Sequence, residues 1–178
     1  SNQVKLKLQS KNTVMGILNL TPDSFSDGGD YNESGLICSR IDSFLKQNVE
    51  IFDFGAESTA PMNNHVSYEE EINRFERVLF PALKHMEEIK EKIISIDTYK
   101  IETIKYVLNY TRKWSPLTQI IWNDVSGRYQ DKEVIEIINE NSNNLFYVAN
   151  FTFIPERRLT TKHMEYKKDI TNIEFQNE

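Results

Sequence analysis

Short acidic and amide residues recur at the points where apolar runs of the sequence end. Each run has the length and β-branched composition of a buried strand, and turn-forming residues follow the polar residue. Carboxylates accept hydrogen bonds and amides both donate and accept them, so such residues are suited to holding a polar ligand. Asp and Asn are also favoured at turns and helix N-caps, which is the alternative for each residue taken alone. The residues at the run ends are Asn19, Asp53, Asp97, Asn123 with Asp124, and Asn150.

The chain from residue 13 to residue 151 alternates strand-like and helix-like patterns. Strands are predicted at residues 13–19, 49–54, 93–97, 119–124 and 145–151. Helices are predicted at residues 33–48, 67–89, 100–113 and 132–141, the second opened by a capping box at Ser67 and Glu70. Such a succession of βα units requires a parallel sheet, because each strand returns to the same end through a helix. The polar residues would then meet at one rim, where parallel α/β proteins bind ligands.

Periodicity leaves two architectures open, a doubly wound open sheet and part of an eightfold barrel.

Two local features are predicted in either architecture. Val4, Leu6 and Leu8 alternate with polar residues, which predicts a half-exposed strand ahead of the main sheet. Pro81 lies inside the second helical pattern and predicts a kink or a break, because proline lacks a backbone N–H.

Length and composition indicate one globular domain over residues 1–178. The chain has 178 residues, 39% of them hydrophobic, which is enough for a full core. A net charge of −6 disfavours a general nucleic-acid surface. No apolar run approaches the ~18 residues of a spanning helix. We therefore expect a cytoplasmic protein without membrane or nucleic-acid partners, in which Cys38, the only cysteine, packs in the core.

The most informative stretch is residues 13–29, Thr-Val-Met-Gly-Ile-Leu-Asn-Leu-Thr-Pro-Asp-Ser-Phe-Ser-Asp-Gly-Gly, which passes from an apolar strand into a polar loop. It closely resembles the first signature of the dihydropteroate synthase family, whose members join a pterin pyrophosphate to p-aminobenzoate in folate biosynthesis. Residues 53–61, 95–100 and 123–127 resemble the later signatures. The resemblance implies a transferase with a parallel (β/α)8 fold of the TIM-barrel type, here an incomplete pterin-binding domain of about five βα units.

The resemblance also implies roles for single residues. Asp97 and Asn123 match residues that bind the pterin ring, and the carboxylate and amide suit its N–H and C=O groups. Asn19 matches a catalytic residue that binds the Mg²⁺ carried by the pyrophosphate. Thr59 matches a second catalytic residue, beside the pyrophosphate and p-aminobenzoate, and Ser58 adjoins it. The implied partners are these two substrates, with a homodimer as a further option.

The sequence departs from the family pattern at two positions that bear on pyrophosphate chemistry. Ala60 stands where Arg is usual, and Asn150 stands where His is usual. A guanidinium would bind a pyrophosphate through paired, charge-assisted hydrogen bonds, and alanine cannot. The alternative function is therefore a non-catalytic or degenerate pterin-binding protein of the same fold. A methyltetrahydrofolate methyltransferase is a further enzyme alternative, although residues 13–29 resemble the synthases.

The length also differs from the family, because a whole α/β barrel typically has ~250 residues. An incomplete version of a longer chain, a naturally shortened relative and completion by another copy would each account for this. A barrel left open after five strands is expected to expose a strand edge and an apolar inner face. The histidines His65, His85 and His163 are expected to be solvated or capping residues.

Overall fold

The computed structural model describes residues 12–21, 33–57, 65–85, 92–114 and 118–150. These ranges form one parallel sheet with helices packed on one of its faces. The predicted strand at residues 4–8 and the polar segment after residue 150 lie outside the described residues, as do Ser58, Thr59 and Ala60.

Five strands in the described residues are joined in chain order. They are β1 (Met15–Asn19), β2 (Ile51–Gly55), β3 (Ile93–Asp97), β4 (Ile120–Asp124) and β5 (Leu145–Ala149). Every neighbouring pair is parallel, and the order across the sheet is β1-β2-β3-β4-β5. A doubly wound sheet would reverse its strand order at a switch point, whereas a (β/α)8 barrel adds each strand beside the last. The strand order therefore confirms a fold of the barrel type, and the five described strands form part of such a barrel.

Side chains alternate between the two faces of this sheet. The outer face packs against the helices and supplies the main core, which includes Leu18, Phe54, Ile96 and Trp122. The opposite face is called here the inner face. Towards the amino ends of the strands it carries a small apolar cluster of Ile51, Ile93 and Ile121.

The helices are α1 (Glu33–Lys46), α2 (Tyr68–Arg74), α3 (Phe80–His85), α4 (Ile101–Trp114) and α5 (Lys132–Glu140). Ile37 and Ile41 of α1 are fully buried against the sheet. Cys38, which was expected in the core, is only half-buried. It follows Ile37 by one position, and this turns its side chain away from the stripe that faces the sheet.

The chain around Pro81 stays helical. Ser67 caps α2 by accepting a hydrogen bond from the Glu70 N–H at 3.2 Å, as the capping box predicts. A π-helical segment, Phe75–Leu79, follows α2 directly, and α3 begins at once after it. Pro81 thus lies in the first turn of α3, where a missing N–H is tolerated. The helix therefore does not break at Pro81, and its hydrogen bonding changes to the π type just before the proline.

The edge strands leave apolar side chains open on the inner face. Ile17 of β1 is 61% exposed, Met15 is 40% exposed, and Val148 of β5 is 39% exposed. This confirms the expected exposed apolar inner face. Within the described ranges, no helix combines the length and the apolar character needed to cross a bilayer.

Candidate functional site

A row of residues crosses the inner face at the carboxyl ends of four strands. The register pairs Asn19 with Gly55, Gly55 with Asp97, and Asp97 with Asn123. Paired residues of a parallel sheet point to the same face, so all four belong to the inner face. With ~4.8 Å between strands, Asn19 lies roughly 10 Å from Asp97 and roughly 14 Å from Asn123 along the sheet. We call these four residues the rim, and it unites three of the predicted site residues.

Gly55 keeps the middle of the rim open. A Cβ atom at this position would lie 3.4 Å from Asp97 Oδ2 and 3.5 Å from Asp97 Cβ. A larger side chain would therefore occupy the space between Asn19 and the Asp97 carboxylate. The glycine leaves that carboxylate room to meet a flat ligand.

Asp53 lies one layer below the rim, two residues before Gly55, and also belongs to the inner face. It is only 4% exposed. Burial raises the pKa of the Asp53 carboxyl, and the neighbouring Ser95 and Asn123 side chains partly offset that rise. In the part of the chain that the structure describes, Asp53 Oδ1 has no hydrogen-bond partner. A buried carboxyl oxygen without a hydrogen-bond partner is destabilising. This indicates that Asp53 has a role other than packing.

Asn150 joins the rim from the end of β5. Its Nδ2 donates to the Asp124 backbone carbonyl at 2.9 Å and, in a longer contact, to Asn123 Oδ1 at 3.4 Å. The residue that replaces the usual histidine therefore contacts a predicted pterin-binding residue.

Asp124 does not belong to the rim, although it follows Asn123 directly. Alternation along β4 turns it to the outer face, where it is fully buried. Its side chain accepts hydrogen bonds from the Ser126 N–H at 2.8 Å and from the Tyr147 hydroxyl at 2.6 Å. Burial, followed by the contact with Asp124, raises the pKa of Tyr147 well above its usual range. Asp124 therefore shapes the turn after β4, as the alternative from turn chemistry predicted.

A second polar group lies apart from the rim, between the loops after β2 and β3 and helix α2. Lys100 Nζ contacts Glu57 Oε2 and lies 3.3 Å from Glu71 Oε2. The Tyr99 hydroxyl donates to Glu57 Oε1 at 3.1 Å, and the Thr103 hydroxyl donates to Glu71 Oε2 at 2.6 Å. Lys100, Glu57 and Glu71, all buried, are called here the charge cluster.

Glu57 also connects chain segments that are distant in sequence. Its Oε1 accepts a hydrogen bond from the Val66 N–H at 3.2 Å. Arg74 of α2 donates to the backbone carbonyl of Ala56 at 2.7 Å and to Glu70 at 2.8 Å. The charge cluster and Arg74 thus fix α2 against the carboxyl ends of β2 and β3.

Sequence reasoning gave the members of the charge cluster no role. Glu71 is fully buried, and burial raises the pKa of its carboxyl, opposed by Lys100 and Thr103. A signal was available, because Glu71 has helical spacing with Phe75 and Val78 and so lies on the buried stripe of its helix. Ile72, which follows Glu71 directly, is only half-buried.

The two histidines that the structure describes have separate partners. His85 Nε2 lies 2.8 Å from Asp42 Oδ1 at the surface, and His65 Nδ1 lies 3.9 Å from Glu57. His163 lies outside the described residues. Across the described ranges, no three His, Cys, Asp or Glu side chains come together as a metal site.

Comparison with known proteins assigns the chain to a class. The family model described as pterin binding enzyme matches residues 15–175, so the chain belongs to the pterin-binding enzyme family. A dihydropteroate synthase from Streptococcus pyogenes is 35% identical over 136 residues, which cover 76% of this chain and 47% of that protein. A folate synthesis bifunctional protein from Arabidopsis thaliana is 41% identical over 131 residues, covering 74% of this chain and 25% of that protein.

A similar solved structure is the dihydropteroate synthase from Anaplasma phagocytophilum with bound 6-hydroxymethylpterin-monophosphate. It is 28% identical with a TM-score of 0.62, and the match covers 83% of this chain and 52% of that one. The chain therefore spans about half, or less, of the length of these relatives.

Proposed function

We propose that this chain supplies the pterin-binding part of a dihydropteroate synthase-like transferase. The reaction condenses 7,8-dihydropterin-6-ylmethyl pyrophosphate with p-aminobenzoate and gives dihydropteroate and pyrophosphate. The observation that carries the proposal is the rim, which holds an acid and two amides on one open face of a parallel sheet. Membership of the pterin-binding family supports the identity of the ligand.

The chemistry of the rim suits the aminopyrimidine edge of a pterin. The Asp97 carboxylate can accept two N–H groups of the ring, one from the exocyclic amine and one from the ring itself. The Asn123 amide can donate to a ring acceptor and accept from a ring donor. Ile121, one layer below Asn123, is buried in the small apolar cluster beneath the rim.

We propose that Asn19 binds an ion that travels with the pyrophosphate. Its exposed amide lies at the far end of the rim from Asn123. Mg²⁺ prefers oxygen ligands and keeps several waters, so a single amide oxygen suffices when phosphate oxygens provide further ligands. A single amide oxygen thus fits an ion carried by the substrate, and the described residues hold no cluster of His, Cys, Asp and Glu side chains that could bind a metal.

The proposed reaction is a substitution at the exocyclic methylene of the pterin. The amine nitrogen of p-aminobenzoate forms a bond to the methylene carbon, the C–O bond to pyrophosphate breaks, and the nitrogen releases a proton to solvent. Negative charge grows on the leaving pyrophosphate, and a bound Mg²⁺ would supply positive charge against it. Asp97 and Asn123 hold the ring, so the methylene is presented at a fixed position.

Ser58 and Thr59 keep the roles that the resemblance implies, next to the pyrophosphate and p-aminobenzoate. They follow Glu57 directly, and Glu57 is fixed by the charge cluster just beyond the end of β2. The described chain thus ends, before residue 58, at an anchored residue.

The alternative is a pterin-binding protein without transfer activity. The replacement of the usual Arg by Ala60 favours it, because this removes a cation suited to pyrophosphate. In that case the rim would still bind the ring. The two functions share Asp97 and Asn123 and differ in what happens to the pyrophosphate.

One titration followed by one addition tests both functions. The chain is titrated with the dihydropterin pyrophosphate and Mg²⁺, and p-aminobenzoate is then added while pyrophosphate release is measured. Binding followed by release supports the transferase, and binding without release supports the alternative. Absence of binding contradicts both. Asp42→Ala, which removes an exposed acid on α1, is the control that should behave like the wild type.

The cytoplasmic location and the homodimer stay predictions from the sequence. A cell-fractionation experiment and a sedimentation measurement on the whole chain would test them.

A further inference from the structure

The side chain of Glu57 is the meeting point of three segments of the chain. Its Oε1 accepts a hydrogen bond from the Val66 N–H at 3.2 Å and another from the Tyr99 hydroxyl at 3.1 Å. Its Oε2 contacts Lys100 Nζ. Glu57 is only 6% exposed, so the carboxylate is bound almost entirely by groups of the protein.

One of these contacts joins positions on either side of residues 58–64, which lie outside the described residues. Glu57 precedes that segment and Val66 follows it, and the hydrogen bond between them spans nine positions of the chain. Arg74 adds a bond near the first end, because its Nη1 donates to the Ala56 carbonyl at 2.7 Å. Tying the two ends of a segment together reduces the number of conformations that are available to it.

Helix α2 is held by contacts that do not involve Glu57. Glu71 of α2 lies 3.3 Å from Lys100 Nζ and accepts a hydrogen bond from the Thr103 hydroxyl at 2.6 Å, which joins α2 to α4 directly. A buried ion pair is by itself weak evidence for a stabilising role. The bond to Val66 is therefore the distinctive contribution of Glu57.

We propose that Glu57 is a positioning residue, which fixes the two ends of residues 58–64 and so favours the binding of pyrophosphate by Ser58 and Thr59. This inference rests on the proposed function, because the roles of Ser58 and Thr59 belong to it. A segment whose ends are already fixed loses less conformational entropy when a ligand binds. The gain is in affinity for the pyrophosphate and not for the ring, because the ring binds at the rim.

The test compares two ligands in the presence of Mg²⁺, the dihydropterin pyrophosphate and the matching 6-hydroxymethyl dihydropterin, which lacks the pyrophosphate. The ratio of their affinities, measured by calorimetric titration of the whole chain, is called here the pyrophosphate preference. We expect Glu57→Ala to lower this preference about 10-fold and to leave the affinity for the ligand without pyrophosphate unchanged. Glu57→Gln should restore most of the preference, because its side-chain oxygen can still accept from Val66.

Val66→Pro breaks the same hydrogen bond from the other side. Proline has no backbone N–H, and the substitution leaves Glu57, Lys100 and Tyr99 in place, so this variant remains informative if Glu57→Ala does not fold. It should also lower the pyrophosphate preference about 10-fold. Val66→Ala is the matched control, because alanine keeps the N–H and should leave the preference unchanged.

Glu71→Gln separates positioning from stability. The partners of Glu71 are Lys100 and Thr103, neither of which adjoins residues 58–64. The variant should have a lower Tm and an unchanged pyrophosphate preference. A loss of preference as large as that of Glu57→Ala would mean that the preference follows stability, and it would overturn the inference.

Amide hydrogen exchange tests the contact without any ligand. The Val66 N–H should exchange faster in Glu57→Ala than in Glu57→Gln or in the wild type. An unchanged preference in Glu57→Ala and Val66→Pro, or an equal loss of affinity for both ligands, would overturn the inference while leaving pterin binding intact. A wild-type chain that binds neither ligand would instead overturn the proposed function, and this inference with it.

Discussion

The rim and the charge cluster both contain acidic side chains near the carboxyl ends of β2 and β3, yet they are built differently. In the charge cluster a lysine lies between two glutamates, and hydroxyl and backbone groups donate to them. Beneath the rim, the Asp53 carboxyl is buried, and its Oδ1 has no hydrogen-bond partner among the described residues. The charge cluster satisfies most of its polar groups within the described structure, whereas Asp53 does not.

The difference shows how a functional acid can be told from a structural one without any ligand. A buried carboxylate that is paired with a lysine contributes to the fold, and removing its partner is destabilising. A carboxyl that is held on an open face without a charged partner costs stability, and such groups are concentrated at functional sites. The predictions below test this distinction.

The largest effect is expected for Asp97→Ala. Loss of a carboxylate that accepts two N–H groups should weaken binding of 6-hydroxymethylpterin by about 100-fold or more. Thermal unfolding should stay close to that of the wild type. Calorimetric titration measures the first quantity, and a large fall in Tm with unchanged affinity would place Asp97 with the structural acids.

Lys100→Met should have the opposite profile. It leaves Glu57 and Glu71 buried without their cation, so we expect the free energy of unfolding to fall by about 3–5 kcal/mol. Urea denaturation measures this loss. Lys105→Met is the matched control, because Lys105 pairs with Glu133 at 2.8 Å on the exposed surface and should matter little. Equal effects of the two substitutions would contradict the role given to the charge cluster.

Asp53→Asn should change how stability depends on pH. The pKa of Asp53 is raised in the folded chain, so the folded state holds its proton to a higher pH than the unfolded state does. The associated stability is fully present below the unfolded pKa of about 3.9 and is lost as the pH rises through the folded pKa. Asparagine does not ionise, so the variant does not lose this stability as the pH rises. The Tm of the variant should therefore rise relative to that of the wild type as the pH rises above about 4. Parallel curves of Tm against pH would contradict a loss of stability from burial of the Asp53 carboxylate.

Gly55→Ala should have the smallest effect. The added methyl group would meet Asp97 Oδ2 at 3.4 Å, an ordinary contact, so pterin affinity should fall by less than about 10-fold. Gly16→Ala provides the contrast, because its methyl group would lie 2.5 Å from the Phe44 ring. That variant should lose stability and keep its affinity. Reversed outcomes would mean that the two faces have been assigned wrongly.

The sequence predicted the strands within two residues at each end, because apolar runs bounded by turn residues are strong signals. It also predicted that Asp97 and Asn123 lie near the carboxyl ends of neighbouring strands, which the register confirms, and their roles in binding a pterin stay predictions. The outward direction of Asp124 follows from alternation along β4, once Asn123 is taken to face inwards.

The sequence could not identify the charge cluster or the neighbours of Asn123. Lys100 meets Glu57 and Glu71 across more than one loop, and Asn150 meets Asn123 from the end of the neighbouring strand. Such contacts depend on strand register and on the curvature of the sheet, which no local pattern encodes.

The most direct test of the central claim is an amide NMR titration of the whole chain with 6-hydroxymethylpterin. The account predicts that the Asn123 side-chain amide and the Gly55 backbone amide shift together and saturate, while the Val66 amide at the charge cluster stays in place. Shifts at Val66 without shifts at Asn123 and Gly55 would contradict the assignment of the rim as the pterin site.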